Sequence, residues 1–422
     1  MKYKEINCNN YNIYLIKTSK FKTINISTVI INDYTKEEIT KNKFISEYLI
    51  NSNNDAKNEV LMSKKYMDLY EPSLFINDYY SDKHNMICST TFLNEKYTEK
   101  GMNKKTIDFY YNIIFNPNIE DDMFESNNFN IIKNKLFSWY KMDEEDSGSM
   151  AYFSSLSNIS DDIPIKIDTR GSLEDLLKID REKLKKYYFN KLNNSMFNVF
   201  VVGDYDDELI DSIKNNLDNK VNDIKYKLNN IFDVTDVKEV NTVIEEKNFN
   251  QSIIYLIYKV IGMTKRERYY VLPVLNNILG GSSAKLFNNV REKNSLAYYA
   301  YSNTSMSNNI LYMYAGISKE NYEKCSSLMK EQLKEIIDGN ITDQELNNAK
   351  NSLDSGILSQ YDNIGSINNN LKSVVLFNMP SMEELEEGYK TVTKEEIIDL
   401  SKKIKQDVEY LLKGVKEWNI LI

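Results

Sequence analysis

A chain of 422 residues, 41% apolar and 27% charged, is long enough for two domains of about 200 residues, each with its own core. A net charge of −9 with both signs interspersed argues against a nucleic-acid or anionic-membrane partner and permits a cationic peptide. The three cysteines, Cys8, Cys88 and Cys325, are too scattered for a disulfide framework, and the first residues lack an apolar signal core, so a reducing cytoplasm is expected.

In chain order, 12–15 and 23–31 run apolar with β-branched residues and read as strands. Residues 35–50 carry helical spacing (Ile39, Phe44, Ile45, Tyr48, Leu49) with Thr35 as a cap. A polar break at 51–58 is followed by a helix over 60–69 and a strand pair over 73–82 and 84–93. Helices are expected over 104–115 and 121–142, with an acidic, small-residue loop at 143–149. One or two helices cover 173–192, a buried strand 198–204 and a helix 206–217. Residues 218–247 are highly charged and poor in apolar side chains; they read as an interdomain linker with weak strand character at 240–244.

The second half restarts the same order. A strand at 251–260 and a helix at 265–279 are followed by a strand at 310–317 and helices at 322–338 and 342–358. An apolar segment at 371–376, a helix at 395–403 and a strand at 408–413 complete it. Asn118-Ile119-Glu120-Asp121 opens a helix in the first half and Asn340-Ile341-Thr342-Asp343 opens its counterpart. An internal duplication is expected. It gives an α+β chain with domains at 1–217 and 248–422 about a linker at 218–247, each domain a mostly antiparallel sheet with helices on one face.

The stretch 279–300 reads Leu-Gly-Gly-Ser-Ser-Ala-Lys-Leu-Phe-Asn-Asn-Val-Arg-Glu-Lys-Asn-Ser-Leu-Ala-Tyr-Tyr-Ala. It ends a helix at Gly280–Gly281, restarts as a short helix and closes in a Tyr-rich strand. Across that turn Arg291 and Tyr298 can point into one cavity. A guanidinium and a phenol form a donor pair for a carbonyl oxygen that turns negative during attack. The same two residues also read as a helix C-terminal cap and a core aromatic.

The pattern Gly-Gly-Ser-Ser-x-x-Leu-Phe-x-x-Val-Arg-Glu-Lys-x-x-Leu-Ala-Tyr resembles the second-domain signature of the pitrilysin/insulinase-like metallopeptidases. The resemblance implies that Arg291 and Tyr298 bind substrate and stabilise the tetrahedral intermediate. It also implies that Gly280, Gly281 and Ser282 border the substrate, and that two similar halves clasp a peptide chamber. Active members of that family hold zinc with His-x-x-Glu-His on the first helix and a Glu on a later one. Here the first helix reads Phe44-Ile45-Ser46-Glu47-Tyr48, and Ile132 stands at the third ligand's place.

The chain has one histidine, His84, and a two-His site cannot be built from it. Cys88, on the same strand face, leaves a weak metal or thiol site to set beside plain packing. Glu47 reads as a relic of the general base or as a solvated helix carboxylate. No metal is expected in this chain.

Some members of the family split the work between two subunits, one with the zinc motif and one with the Arg/Tyr pair. The resemblance implies the second kind: a bacterial partner subunit, inactive alone, whose homologous sibling carries zinc. Peptide processing such as bacteriocin leader removal is the implied activity, with neither nucleic acid nor membrane as partner. The alternative is a non-enzymatic scaffold or peptide-binding subunit of a larger complex.

Overall fold

A computed structural model describes residues 2–282 and 284–415. The first half begins with strands β1 (Lys4–Asn7), β2 (Tyr11–Lys17) and β3 (Thr23–Asn32), then helices α1 (Ile39–Asn51) and α2 (Glu59–Asp68). Strands β4 (Ser73–Tyr80) and β5 (His84–Leu93) and helix α3 (Met102–Phe115) follow. The short strands β6 (Ile119–Glu120) and β7 (Met123–Phe124) lead into α4 (Ser126–Asp143) and α5 (Ser147–Ser157). Helices α6 (Leu173–Lys178) and α7 (Arg181–Asn193), strand β8 (Met196–Gly203) and helix α8 (Asp207–Leu217) close this half.

The second half runs β9 (Asn241–Lys247), β10 (Ser252–Val260), α9 (Leu272–Gly280), β11 (Ala297–Ser305) and β12 (Ile310–Ile317). Helices α10 (Tyr322–Ile337), α11 (Asp343–Gln360), α12 (Ile364–Phe377), α13 (Met382–Lys390) and α14 (Lys394–Ser401) precede the last strand, β13 (Ile404–Gly414).

Two sheets repeat one topology. The first has the order β1-β2-β8-β3-β5-β4, in which only β2 and β8 are parallel. The second has the order β11-β12-β10-β13-β9, in which only β13 and β9 are parallel. Read from the parallel pair outward, β2, β8, β3, β5 and β4 match β9, β13, β10, β12 and β11. This is the two-domain α+β arrangement with a duplicated topology that the sequence order implied.

The compact units cut across the sequence halves. One comprises Met1–Lys141, Thr169–Leu228 and Gln360–Met379; the other comprises Met142–Asp168, Asn229–Ser359 and Pro380–Ile422. Each unit therefore contains one helix encoded in the opposite half, α12 in the first and α5 in the second. The reason lies in the strands. Every residue of β3 after Thr23 is buried, and every residue of β10 is buried. A central strand with two apolar faces needs cover on both.

In the first unit, Phe44, Tyr48, Ile114 and Ile132 of the helix layer pack against Ile13, Ile24 and Ile26. On the opposite face, Val29, Ile31, Phe200 and Val202 are covered by Ile364 and Leu371 of α12. In the second unit, Ala151 and Leu156 of α5 cover Tyr255, Ile257, Tyr312 and Val408. The expectation of helices on one face alone is thus extended by one helix on the other.

Three local expectations changed. Asp121 and Asp122, with φ of 48° and 60°, turn the chain between β6 and β7, so α4 starts at Ser126 and not at 121. Within the 143–149 loop, Asp146 accepts from the backbone N–H of Gly148 at 2.8 Å and caps α5. The charged 218–247 stretch ends in β9, a strand that lies at the sheet edge beside β13 and has five of its seven residues exposed.

Candidate functional site

Helix α9 is preceded by a wide turn, Glu267–Val271, immediately before Pro273. In a regular helix the Pro273 ring would collide with the carbonyl of Tyr269, and a π-type turn relieves that clash. The helix ends at Gly280, which lies against the strand that follows the site. A Cβ there would fall 2.1 Å from the Ser302 backbone nitrogen of β11. Gly280 is therefore required for close helix–strand packing, and the Ser302 hydroxyl adds a 2.7 Å hydrogen bond to Asn276 Oδ1.

Beyond it, a second π-type turn over Phe287–Lys293 carries Arg291. Ser295 adopts φ of 50°, and the Leu296 N–H returns to the Val290 carbonyl at 3.1 Å, which reverses the chain into β11. Strand β11 is the edge of its sheet, and its register against β12 jumps from Ala297–Ile317 to Tyr299–Gly316. Tyr298 is the extra residue of this β-bulge. Bulges at sheet edges re-aim a side chain, and Tyr298 is left 65% exposed.

Arg291 and Tyr298 line one open cavity of about 430 Å³, together with Glu292, Ser295, Ser318 and Asn321. The Arg291 guanidinium carbon lies 4.9 Å from the Phe287 ring centroid, and its Nε is 3.7 Å from Glu292 Oε1. Its side chain is 43% exposed. The 65% exposure of Tyr298 rules out a core-aromatic role for it, and Arg291 is partly exposed beside Phe287 and Glu292. Gly281 and Ser282 line a different cavity of about 280 Å³, shared with Asn277, Glu345 and Asn348. The glycine segment is thus not brought into the cavity of the Arg/Tyr pair.

The positions of the family's zinc ligands are core positions here. Phe44, Tyr48 and Ile132 are each 0% exposed. Phe44 packs on Phe129 with centroids 4.8 Å apart, and Tyr48 packs on Phe124 at 4.5 Å. The Tyr48 hydroxyl donates to the Asn118 carbonyl at 2.7 Å and accepts from the Glu125 N–H at 2.9 Å. Glu47 reaches Lys135 at 2.7 Å and is partly exposed. These side chains do not fit zinc: two offer no donor, and the third spends its oxygen on the backbone. Among the described residues no group of three or more His, Cys, Asp and Glu could hold a metal ion.

The comparisons with known proteins agree with this geometry. Residues 178–353 match the family model described as the peptidase M16 inactive domain, M16 being the pitrilysin/insulinase-like peptidases. A protein described as a probable inactive metalloprotease, YmfF of Bacillus subtilis strain 168, is 25% identical over 410 residues, 96% of each chain. The chain is similar to the M16 peptidases, and core side chains stand at the positions that the resemblance sets against their zinc ligands.

The crystal structure of a conserved protein from Enterococcus faecalis V583 superposes on this M16-like chain with a TM-score of 0.90 at 25% identity, over 98% of this chain and 99% of that one. The M16 inactive domain of Pseudomonas fluorescens shares the fold at a TM-score of 0.80 and 14% identity, over 98% of this chain and 99% of that one.

His84, the one histidine of the M16-like chain, belongs to a buried polar cluster. Its Nε2 lies 2.6 Å from Asp78 Oδ1, and Asp78 also accepts from the Ser46 hydroxyl at 2.8 Å. Burial pushes the imidazole below its usual range, against the opposing pull of Asp78. Lys191, 3.4 Å from His84 Nδ1, is pushed down to about 8 by burial. The Cys88 thiol is fully buried and burial raises it, which makes it a packing residue and not a thiolate ligand. Asp78 and Lys191 were not legible as partners of His84, because their approach to it depends on strand register and helix packing.

Proposed function

We propose that this chain is the accessory subunit of a heterodimeric zinc metallopeptidase that processes peptides. A homologous subunit bearing the zinc motif brings the metal, the activated water and the general base. This chain contributes Arg291 and Tyr298. As water adds to the scissile carbonyl, the C=O bond becomes a C–O⁻, and the guanidinium and phenol donate hydrogen bonds to that oxygen. The oxyanion then collapses to a carbonyl, the C–N bond breaks, and the amine leaves with the proton that the partner's base took from the water. The oxyanion is where charge appears, so donors aimed there lower the barrier more than they tighten substrate.

The observation that carries this reading is the pairing of an exposed phenol on a β-bulge with a half-exposed guanidinium around one cavity. The guanidinium comes from the turn before β11 and the phenol from the bulge at the start of β11. Leader removal from a small peptide is the processing step we favour. The three free thiols, two of them buried, suit a reducing cytoplasm. No helix among the described residues is long and apolar enough to cross a membrane.

The test is co-expression of the tagged chain with homologous subunits that carry His-x-x-Glu-His, followed by metal analysis and peptide cleavage. The reading expects a metal-free, inert chain alone and a cleaving complex with about one zinc in the other subunit. Stoichiometric zinc in the isolated chain would overturn it. A stable complex that binds peptide and never cleaves would make this chain a scaffold or peptide-binding subunit.

A further inference from the structure

Five tyrosines of the second sheet and Tyr152 of α5 form one continuous patch. Tyr255 stacks on Tyr314 with centroids 5.4 Å apart and an interplanar angle of 11°. Tyr299 and Tyr301 stack at 6.4 Å, and each lies within 6.1 Å of Tyr314. Tyr312 lies 6.0 Å from Tyr255, and Tyr152 completes the patch at 6.3 Å from Tyr255 and 6.0 Å from Tyr312. The patch is graded. Tyr255 and Tyr312 lie buried beneath α5, whereas Tyr299, Tyr301 and Tyr314 are only half-buried. These three stand toward β11, the edge strand that also carries Tyr298.

The acidic segment Asp143-Glu144-Glu145-Asp146 leads directly into α5, and Glu144, Glu145 and Asp146 are exposed. Burial is the main influence that raises the Tyr299 phenol, and the Tyr314 phenol and the Asp146 carboxylate add to it. Helix α5, which Asp146 caps, sets Tyr152 within 6.3 Å of Tyr255 and Tyr312, so the acidic segment adjoins the patch. Aromatic faces attract cations through their quadrupole, and a nearby carboxylate adds to that attraction. An extended chain repeats its side chains on one face about every 6.6 Å. The Tyr299–Tyr301 spacing of 6.4 Å matches this period.

We propose that the Tyr299–Tyr301–Tyr314 face and the acidic segment before α5 form a subsite for lysine or arginine side chains at alternate positions of an extended peptide lying along β11. The occupant is a peptide and not a second protein surface, because an edge strand offers backbone pairing and the ring spacing matches a strand period. The subsite deepens the peptidase reading by naming its substrate class, and it rests on this chain handling peptide. It lies along the same strand as Tyr298, so one peptide can occupy both.

The experiment uses the full chain alone, without partner or metal, so it reads binding separately from turnover. Three fluorescent twelve-residue peptides of equal apolar content carry Lys, Glu or Ala at alternate positions, and anisotropy is measured at low and high salt. The Lys peptide should bind at least tenfold tighter than the Glu peptide, with an advantage that shrinks as salt rises. Tyr301→Leu should weaken the Lys peptide about threefold to tenfold and leave the Ala peptide unchanged, and Tyr301→Phe should keep wild-type binding.

Equal binding of Lys and Glu peptides to the wild-type chain overturns the proposal, whatever the variants do. A Lys preference untouched by Tyr301→Leu, in a variant with wild-type circular dichroism, removes the tyrosines from it. If the Lys preference holds while Arg291→Ala leaves turnover of the complex intact, the subsite stands and the peptidase role of the pair falls.

Discussion

Tyr298 is the extra residue of a β-bulge, and Arg291 sits on a π-type turn seven residues before it; the two line one cavity without being part of the core. Regular geometry would not give this. In an unbulged edge strand Tyr298 would follow the pleat, and its orientation would be fixed by alternation with Ala297 and Tyr299. The irregularity is local, and the elements around it are tightly constrained.

Gly280 is one of those constraints. Its Cβ would meet the Ser302 backbone, which cannot swing aside as a side chain tip can. Gly280→Ala should therefore destabilise the chain by about 3 kcal/mol, seen as a lower urea midpoint with an unchanged slope. A variant as stable as wild type would mean that α9 and β11 separate at little cost.

The resemblance sets Tyr48 at a zinc-ligand position, and here its hydroxyl bridges the Asn118 carbonyl and the Glu125 N–H. Tyr48→Phe keeps the ring and leaves a buried donor and a buried acceptor without this partner. A loss of about 1–3 kcal/mol is expected. An unchanged denaturation curve would show that the aromatic filling alone holds this part of the core.

Lys372 of α12 is 7% exposed, and its amine has the Ser27 hydroxyl 3.4 Å away. Burial pushes its pKa from 10.5 down to about 8. The unfolded chain keeps this proton to higher pH than the folded chain does. The lysine therefore penalises folding fully below about pH 8, and the penalty fades as pH rises toward 10.5. Lys372→Met should raise stability by about 3 kcal/mol at pH 7. The difference from wild type should shrink between pH 8 and 10. A constant difference would show that the ammonium is stabilised in the fold.

The repeat was legible in the sequence, and so was the lack of two histidines, each for a physical reason. Strands such as β3 and β10 are β-branched runs long enough to declare themselves, and one histidine cannot make a two-His site. The exchange of α5 and α12 was hidden. Ser147–Ser157 is rich in Ser, a middling helix former, and carries Gly148; it is held by the Asp146 cap and by burial on a sheet far along the chain. The apolar 371–376 segment is the last part of α12, and nothing local says which sheet it covers. Strand β9 showed only as weak strand character at 240–244 within a charged linker, because a strand paired on one side needs few apolar residues. The bulge at Tyr298 depends on pairing with β12, so spacing alone left Tyr298 readable as a core aromatic.

The most direct test of the central claim is peptide cleavage by the assembled complex carrying Tyr298→Phe or Arg291→Ala, with assembly followed by co-purification. Both side chains are largely outside the core, so the variants should fold and assemble as wild type does. The account predicts turnover lower by about 10²–10³ for either variant, with intact zinc and intact complex. Wild-type turnover in both variants would contradict it and leave the pair without a catalytic role.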